Sequence, residues 1–198
     1  MTQQLLVDFF PLQYDSRQII TEAAENPHGT IKIKGVLQRA DAENQNGRSY
    51  PKPILAREAG KYETEFIKQR RALGELDHPD STVVNLKNVS HNILEMHWEG
   101  DDLCGTIEVL STPSGNIVKE LMKNGIRLGV SSRGVGSVKP IGEGKVEVED
   151  DFTLICFDLV SNPSTHGAFL HEGVNVVKTT PYGNVENLIR DFITEIEG

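Results

Sequence analysis

The chain has 198 residues, a formal net charge of −9, 37% hydrophobic, 25% charged and 6% aromatic residues, a composition suited to one soluble folded domain spanning 1–198 rather than to a disordered chain. The acidic balance excludes a surface built to neutralise phosphates, so no nucleic-acid partner is expected, and no apolar run approaches the ~20 residues of a membrane span. Cys104 and Cys156 stand far apart, which suits a reducing compartment. Neither has a second Cys or a clustered His at metal spacing, so no metal and no cofactor are expected.

Leu5 to Phe10 is a short apolar run that reads as a strand. Ile31 to Leu37 reads as a second, with Ile31, Ile33 and Gly35 alternating with Lys32, Lys34 and Val36. Asp41 to Ser49 contains Asn46-Gly47 and reads as a loop. Pro51 fits a helix start, and apolar residues from Ile54 to Ile67 recur near helical spacing, with Arg70 and Arg71 expected in the last turn. Val89 to Trp98 and Leu103 to Leu110 flank Glu99-Gly100-Asp101-Asp102 as a hairpin. Ser114 to Asn124 predicts a helix with Ile117, Val118, Leu121 and Met122 on one face and Gly125 as its stop. Strands follow at Ile126 to Ser132, Val135 to Lys139, Lys145 to Glu149 and Phe152 to Val160, and a terminal helix at Asn184 to Glu197. The mixture is α+β, mainly antiparallel.

Two segments carry candidate chemistry. Gly74-Glu75-Leu76-Asp77-His78-Pro79 is a compact polar bend. Gly129-Val130-Ser131-Ser132-Arg133-Gly134 places two hydroxyls and a cation between glycines at the end of an apolar stretch, where glycine permits close approach by a ligand. A serine nucleophile needs a base within hydrogen-bond reach, and that base needs an orienting group. Six histidines (His28, His78, His91, His97, His166, His171) could supply the base, and composition does not select among them.

The run Asn46-Gly47-Arg48-Ser49-Tyr50-Pro51, then Leu73-Gly74-Glu75-Leu76-Asp77-His78-Pro79, then Gly129-Val130-Ser131-Ser132-Arg133-Gly134-Val135-Gly136, then Phe157-Asp158-Leu159-Val160 with Asn162-Pro163-Ser164, resembles the tailed-phage prohead proteases of capsid maturation, in that family's order. The resemblance implies a fold like the herpesvirus assemblins, a bent, mainly antiparallel β-barrel surrounded by helices. It also implies Ser131 as nucleophile and His78 as general base. Asp158, an isolated carboxylate after an apolar run, is the third member, on the argument that burial demands a partner and His78 would supply it. Asp77 is a rival with poor geometry for orienting the adjacent ring. Backbone N–H groups around Ser132, Arg133 and Gly134 are the expected oxyanion donors, with Arg133 either adding charge or forming a structural salt bridge. Arg48 is expected to anchor its loop to a carboxylate, Tyr50-Pro51 to set the helix entry, and Glu75 to shape the bend or bond backbone N–H groups.

By the same resemblance the substrates are phage scaffold and major capsid proteins, cleaved after Glu in aliphatic-x-Glu sites inside the assembling prohead in the host cytoplasm. Arg127, Arg133 and Lys139 are candidate partners for the substrate Glu. Ile20-Thr21-Glu22 and Ile193-Thr194-Glu195 would permit self-cleavage near the two ends. A homo-oligomer is expected. The alternative is a non-catalytic capsid or scaffold component retaining the protease fold. An esterase fits less well, because the second glycine of Gly-x-Ser-x-Gly comes one residue late.

Overall fold

The computed structural model describes residues 3–13, 25, 26 and 28–161. The chain divides into a unit Met1–Ser164 and a second unit Thr165–Gly198. The second unit, the expected terminal helix, Asn162-Pro163-Ser164, both aliphatic-x-Glu triplets, His166 and His171 lie outside the described residues.

The strands are β1 (Gln4–Pro11), β2 (Ile31–Arg39), β3 (Arg48–Ser49), β4 (Leu73–Glu75), β5 (Val89–Glu99), β6 (Asp102–Val109), β7 (Leu128–Gly136), β8 (Val138–Gly142), β9 (Lys145–Val148) and β10 (Thr153–Ser161). The helices are α1 (Lys52–Tyr62) and α2 (Pro113–Lys123). The strands form three open sheets, ordered β1-β7-β10, β2-β6-β5-β4 and β3-β9-β8. The α+β class and the dominance of strands hold. Among the described residues the strands fall into these three sheets, with α1 and α2 beside them.

The elements follow from side-chain patterning. In β2, Ile31 and Ile33 are buried while Lys32 and Lys34 face solvent. Helix α1 starts after Pro51 and buries Leu55, Glu58, Ala59 and Tyr62. It ends earlier than the periodicity predicts, giving way to a π-helical turn at Glu63–Ile67. Arg70 then takes a positive φ of 51°, so the two arginines lie beyond the helix. In α2, the Thr112 hydroxyl caps the N-terminus by accepting from the Gly115 N–H at 3.0 Å. Gly125 follows with φ 73°, as its role as helix stop requires. Ile117 is exposed rather than on the inner face, which Val118 and Met122 occupy.

The largest departure is β7. The sequence suggests one strand ending at Ser132 and another starting at Val135, whereas one central strand runs through both, hydrogen-bonded to β1 and β10. Eight of its nine residues are buried, so neither face shows the alternation that a half-wet strand displays. Its glycines serve packing, not ligand approach. A Cβ on Gly129 would lie 2.0 Å from the Phe9 ring, and one on Gly134 would lie 2.4 Å from the Phe152 ring.

Candidate active site

Strand parity sorts the residues of β7. Successive side chains point to opposite faces, so Ser131 and Arg133 share one face and Ser132 takes the other. Ser131 stands directly opposite Asp158 on β10 and Arg133 opposite Cys156, so these four share a face. Ser131 is 1% exposed, and its Oγ has no hydrogen-bond partner. The Ser132 Oγ instead accepts from Gln38 Nε2 at 2.8 Å. Of the two serines, only Ser131 has an uncommitted hydroxyl.

Arg133 occupies the centre of that face with no solvent exposure. It donates from Nη2 to Glu75 Oε1 at 2.9 Å and to Asp158 Oδ1 at 3.1 Å. Its Nε lies 2.9 Å from Asp158 Oδ2 and donates to Cys156 Sγ at 3.2 Å. Its Nη1 donates to the Ser81 carbonyl at 2.8 Å. Burial opposes the guanidinium charge, but Cys156, Asp158 and Glu75 outweigh it and its pKa is raised. Asp158 is raised above the ordinary carboxylate value by burial, against the pull of the Glu75 N–H and Arg133. Burial, reinforced by Asp158, also pushes the Cys156 thiol up, so it stays protonated.

The neighbouring carboxylate ties down the following loop. Glu75 Oε1 accepts from the Asn85 N–H at 3.0 Å and Oε2 from Asn88 Nδ2 at 3.2 Å. The expectation that Glu75 bonds backbone N–H groups therefore holds, with Arg133 as an added partner. Behind it, His91 is fully buried and its pKa is lowered to about 4, chiefly by burial. Its Nε2 faces the Phe157 carbonyl at 2.9 Å and its Nδ1 faces Ser90 Oγ at 2.9 Å. A carbonyl only accepts, so the neutral ring carries its proton on Nε2 and Ser90 donates to Nδ1.

His78 lies in the exposed turn after β4. Leu76 bridges Leu159 in parallel, and the Asp77 N–H donates to the Leu159 carbonyl at 2.8 Å. Asp77 takes φ 66° and accepts from the His78 N–H at 3.0 Å. The His78 segment thus flanks β10 on one side and Ser131 flanks it on the other. Leu76 stands two interstrand spacings, about 10 Å, from β7, and His78 lies two residues beyond it. The imidazole makes no hydrogen bond to a described residue.

Asp158 is paired by Arg133, not by His78: the guanidinium of the adjacent strand lies 2.9 Å from its Oδ2. Arg133 takes the structural salt-bridge role. The N–H groups from Ser132 to Gly134 belong to a central strand paired on both edges, so the ladders engage the donors assigned to the oxyanion. Arg127 is exposed, and Lys139 pairs with Glu147 at 2.7 Å.

On the opposite face a second buried carboxylate gathers the Asn-Gly-Arg-Ser-Tyr loop. Asp8, opposite Ser132, accepts on Oδ1 from Asn44 Nδ2 at 2.6 Å, Asn46 Nδ2 at 2.9 Å and Arg48 Nη1 at 3.0 Å, and on Oδ2 from the Tyr50 hydroxyl. Burial and then Asp8 hold the Tyr50 pKa well above its usual value, so the phenol remains a donor. Arg48 anchors its loop to a carboxylate as expected. Asp8, Asn44 and Gln38 were not foreseen. A lone carboxylate inside Leu5 to Phe10 is the signal that marks Asp8.

Residues 15–179 match the family described as prohead core protein serine protease. The chain belongs to that family. It is 34% identical over 143 residues to the prohead core protein protease of Enterobacteria phage T4, an alignment covering 71% of this chain and 68% of that one. Its fold matches the bacteriophage T4 capsid assembly protease, gp21, with a TM-score of 0.70 at 27% identity, over 81% of this chain and 99% of that one. The prohead protease resemblance read from the ordered motifs is therefore correct, and the chain is a phage capsid-assembly protease by family.

Proposed function

We propose that this prohead protease is a serine endopeptidase in which Ser131 attacks the peptide carbonyl and His78 accepts its proton. The observation that carries the reading is the Ser131 hydroxyl, buried without a hydrogen-bond partner on the strand next to the one that anchors the His78 turn. His78 returns the proton to the leaving amine, and water then hydrolyses the acyl-enzyme. Asp158 acts through Arg133, fixing the face on which Ser131 stands. With Ser131 1% exposed, the described arrangement is a closed one: the imidazole must swing over β10 and a substrate path must open before acylation.

The substrates are phage scaffold and capsid proteins, cut after Glu in aliphatic-x-Glu sites within the prohead, including the enzyme's own chain, and the enzyme works as a homo-oligomer. A groove of about 670 Å³ beside α1 and the start of β10, lined by Tyr62, Phe66, Leu73, Val83 and Leu86 with Arg71, Glu65 and the paired Lys61 and Glu58 in its wall, suits an aliphatic side chain. Cleavage of a scaffold-derived peptide with Glu at the scissile position tests the reading. Activity in wild type with loss in both Ser131→Ala and His78→Ala, each folded, is the expected result. Full activity in either variant removes that residue from the mechanism. A folded wild type inert on every such peptide favours the non-catalytic reading, which the burial of Ser131 also suits.

A further inference from the structure

At the turn end of the β5–β6 hairpin, far along the chain from the serine segment, three side chains of different chemistry converge. His97 and Glu99 lie two residues apart on β5 and so point to the same face. Cys104 stands directly opposite His97 on β6. The ligating atoms of these three residues all lie within 4.8 Å of one another, with His97 Nε2 2.9 Å from Glu99 Oε1. His97 and Glu99 are exposed and Cys104 is partly so, so an ion can enter from solvent.

We propose that His97, Glu99 and Cys104 form a binding site for a divalent transition ion of the zinc type. The donor set decides the class. Imidazole and thiolate favour zinc over magnesium or calcium, which take oxygen ligands. Three protein donors and one water complete a tetrahedron with bonds of about 2.0–2.3 Å. Such a tetrahedron sets its donor atoms about 3.3–3.7 Å apart, so on binding the 2.9 Å His97–Glu99 contact opens and the wider spacings, all within 4.8 Å, close. On binding, the S–H bond of Cys104 breaks, the thiolate bonds the ion and the proton passes to solvent. The His97 Nε2 gives up its contact with Glu99 for the ion, and the ring proton resides on Nδ1. No redox partner is needed. Asp102 is held by Arg39, and Glu95 accepts from the Thr106 hydroxyl at 2.6 Å. No spacing motif along the chain marks the site, because strand pairing, not a Cys-x-x-Cys repeat, brings the cysteine to the histidine.

The test is an anaerobic cobalt(II) titration of the full reduced chain, followed by zinc competition. We expect one equivalent to produce a thiolate-to-cobalt charge-transfer absorption that zinc abolishes. Cys104→Ser should remove the band, with Cys156 still present as the internal control. His97→Ala and Glu99→Gln should each weaken binding at least tenfold. In parallel, zinc should protect Cys104 from alkylation in wild type and fail to do so in His97→Ala. A wild type that gives no charge-transfer band, a band that survives Cys104→Ser, or alkylation that zinc does not slow overturns the site. None of the three residues belongs to the proposed proteolytic machinery, so peptide cleavage in the variants reports separately on that function.

Discussion

Arg133 holds two carboxylates, Glu75 and Asp158, at a point where none of the three side chains is exposed. Replacing it by methionine keeps the aliphatic bulk and removes the charge and every donor. Breaking a buried pair from one side costs about 3–5 kcal/mol, because the remaining charge is left without a partner. Against a total stability of roughly 5–15 kcal/mol for a domain, Arg133→Met is expected to remove a large share and to loosen the Ser81 carbonyl with it. Asp158→Asn should cost much less: Glu75 still neutralises the guanidinium, and the raised pKa of Asp158 shows that its ionised form is disfavoured where it stands. The double variant should recover about 1–3 kcal/mol of the Arg133→Met loss, the coupling expected of residues in one network. Urea unfolding with an unchanged m-value is the assay. The pH dependence has a defined sign. A carboxyl whose folded pKa is raised binds a proton more readily when folded. Its stabilising contribution is complete below the ordinary carboxylate value and is lost as pH rises through the raised one. Wild type should therefore gain stability relative to Asp158→Asn as pH falls through that window. Arg133→Met within 1 kcal/mol of wild type, or a double variant with no recovery, would refute the network as the organiser of this face.

Three further outcomes are expected. His91 has its pKa lowered to about 4 by burial; it contributes stability present above its ordinary value of 6.5 and lost as pH falls toward 4. That amounts to about 3 kcal/mol, so the stability difference between wild type and His91→Gln should shrink by that order between pH 7 and pH 4. Gly74→Ala would place a Cβ 1.9 Å from the Phe157 carbonyl oxygen and 2.3 Å from His91 Nε2. Backbone cannot yield that far, so a cost near 3 kcal/mol, or about 6–12 °C in Tm, should appear in a thermal melt. Tyr50→Phe removes the donor to Asp8 Oδ2 while the three donors to Oδ1 remain; about 1.5–3 kcal/mol should be lost, and Asp8→Ala, which strands all four donors, should fold poorly or not at all by circular dichroism.

The strands with one wet face were legible in the sequence: Lys32 and Lys34 announce the outer face of β2, and the Gly100 turn announces the β5–β6 hairpin. β7 was not, because β1 and β10 flank it and both its faces are covered, so hydrophobic alternation vanishes and glycine reads as turn where it means packing. The same limit governs the site. Ser131, His78 and Asp158 could be named from the ordered motifs, but which carboxylate meets which cation depends on register between distant strands. The residues missed, Gln38, Asn44 and Asp8, are fixed by pairings with no local signature. Asp8 is the exception, since burial of a lone carboxylate in an apolar run demands partners wherever it occurs, and the reasoning applied to Asp158 applied equally there.

That reasoning found the need for a partner and misassigned it, and the partner found changes what His78 has to do. The turn carrying the imidazole is fixed on both sides. Before it, Leu76 and Asp77 are tied to Leu159; after it, the Ser81 carbonyl is tied to Arg133, and Glu75 holds Asn85 and Asn88. With the nearest of these anchors, Asp77 and Ser81, within three residues on either side, the backbone at His78 has little freedom to migrate toward Ser131. In the proposed mechanism the approach to Ser131 is left to the His78 side chain and the few residues between these anchors, while Arg133, Glu75 and Asp158 hold the flanking backbone. A buried ion cluster is a poor source of net stability but a good means of fixing one arrangement. Placed between the strand that carries the proposed nucleophile and the loop that carries the proposed base, it serves to register the one against the other.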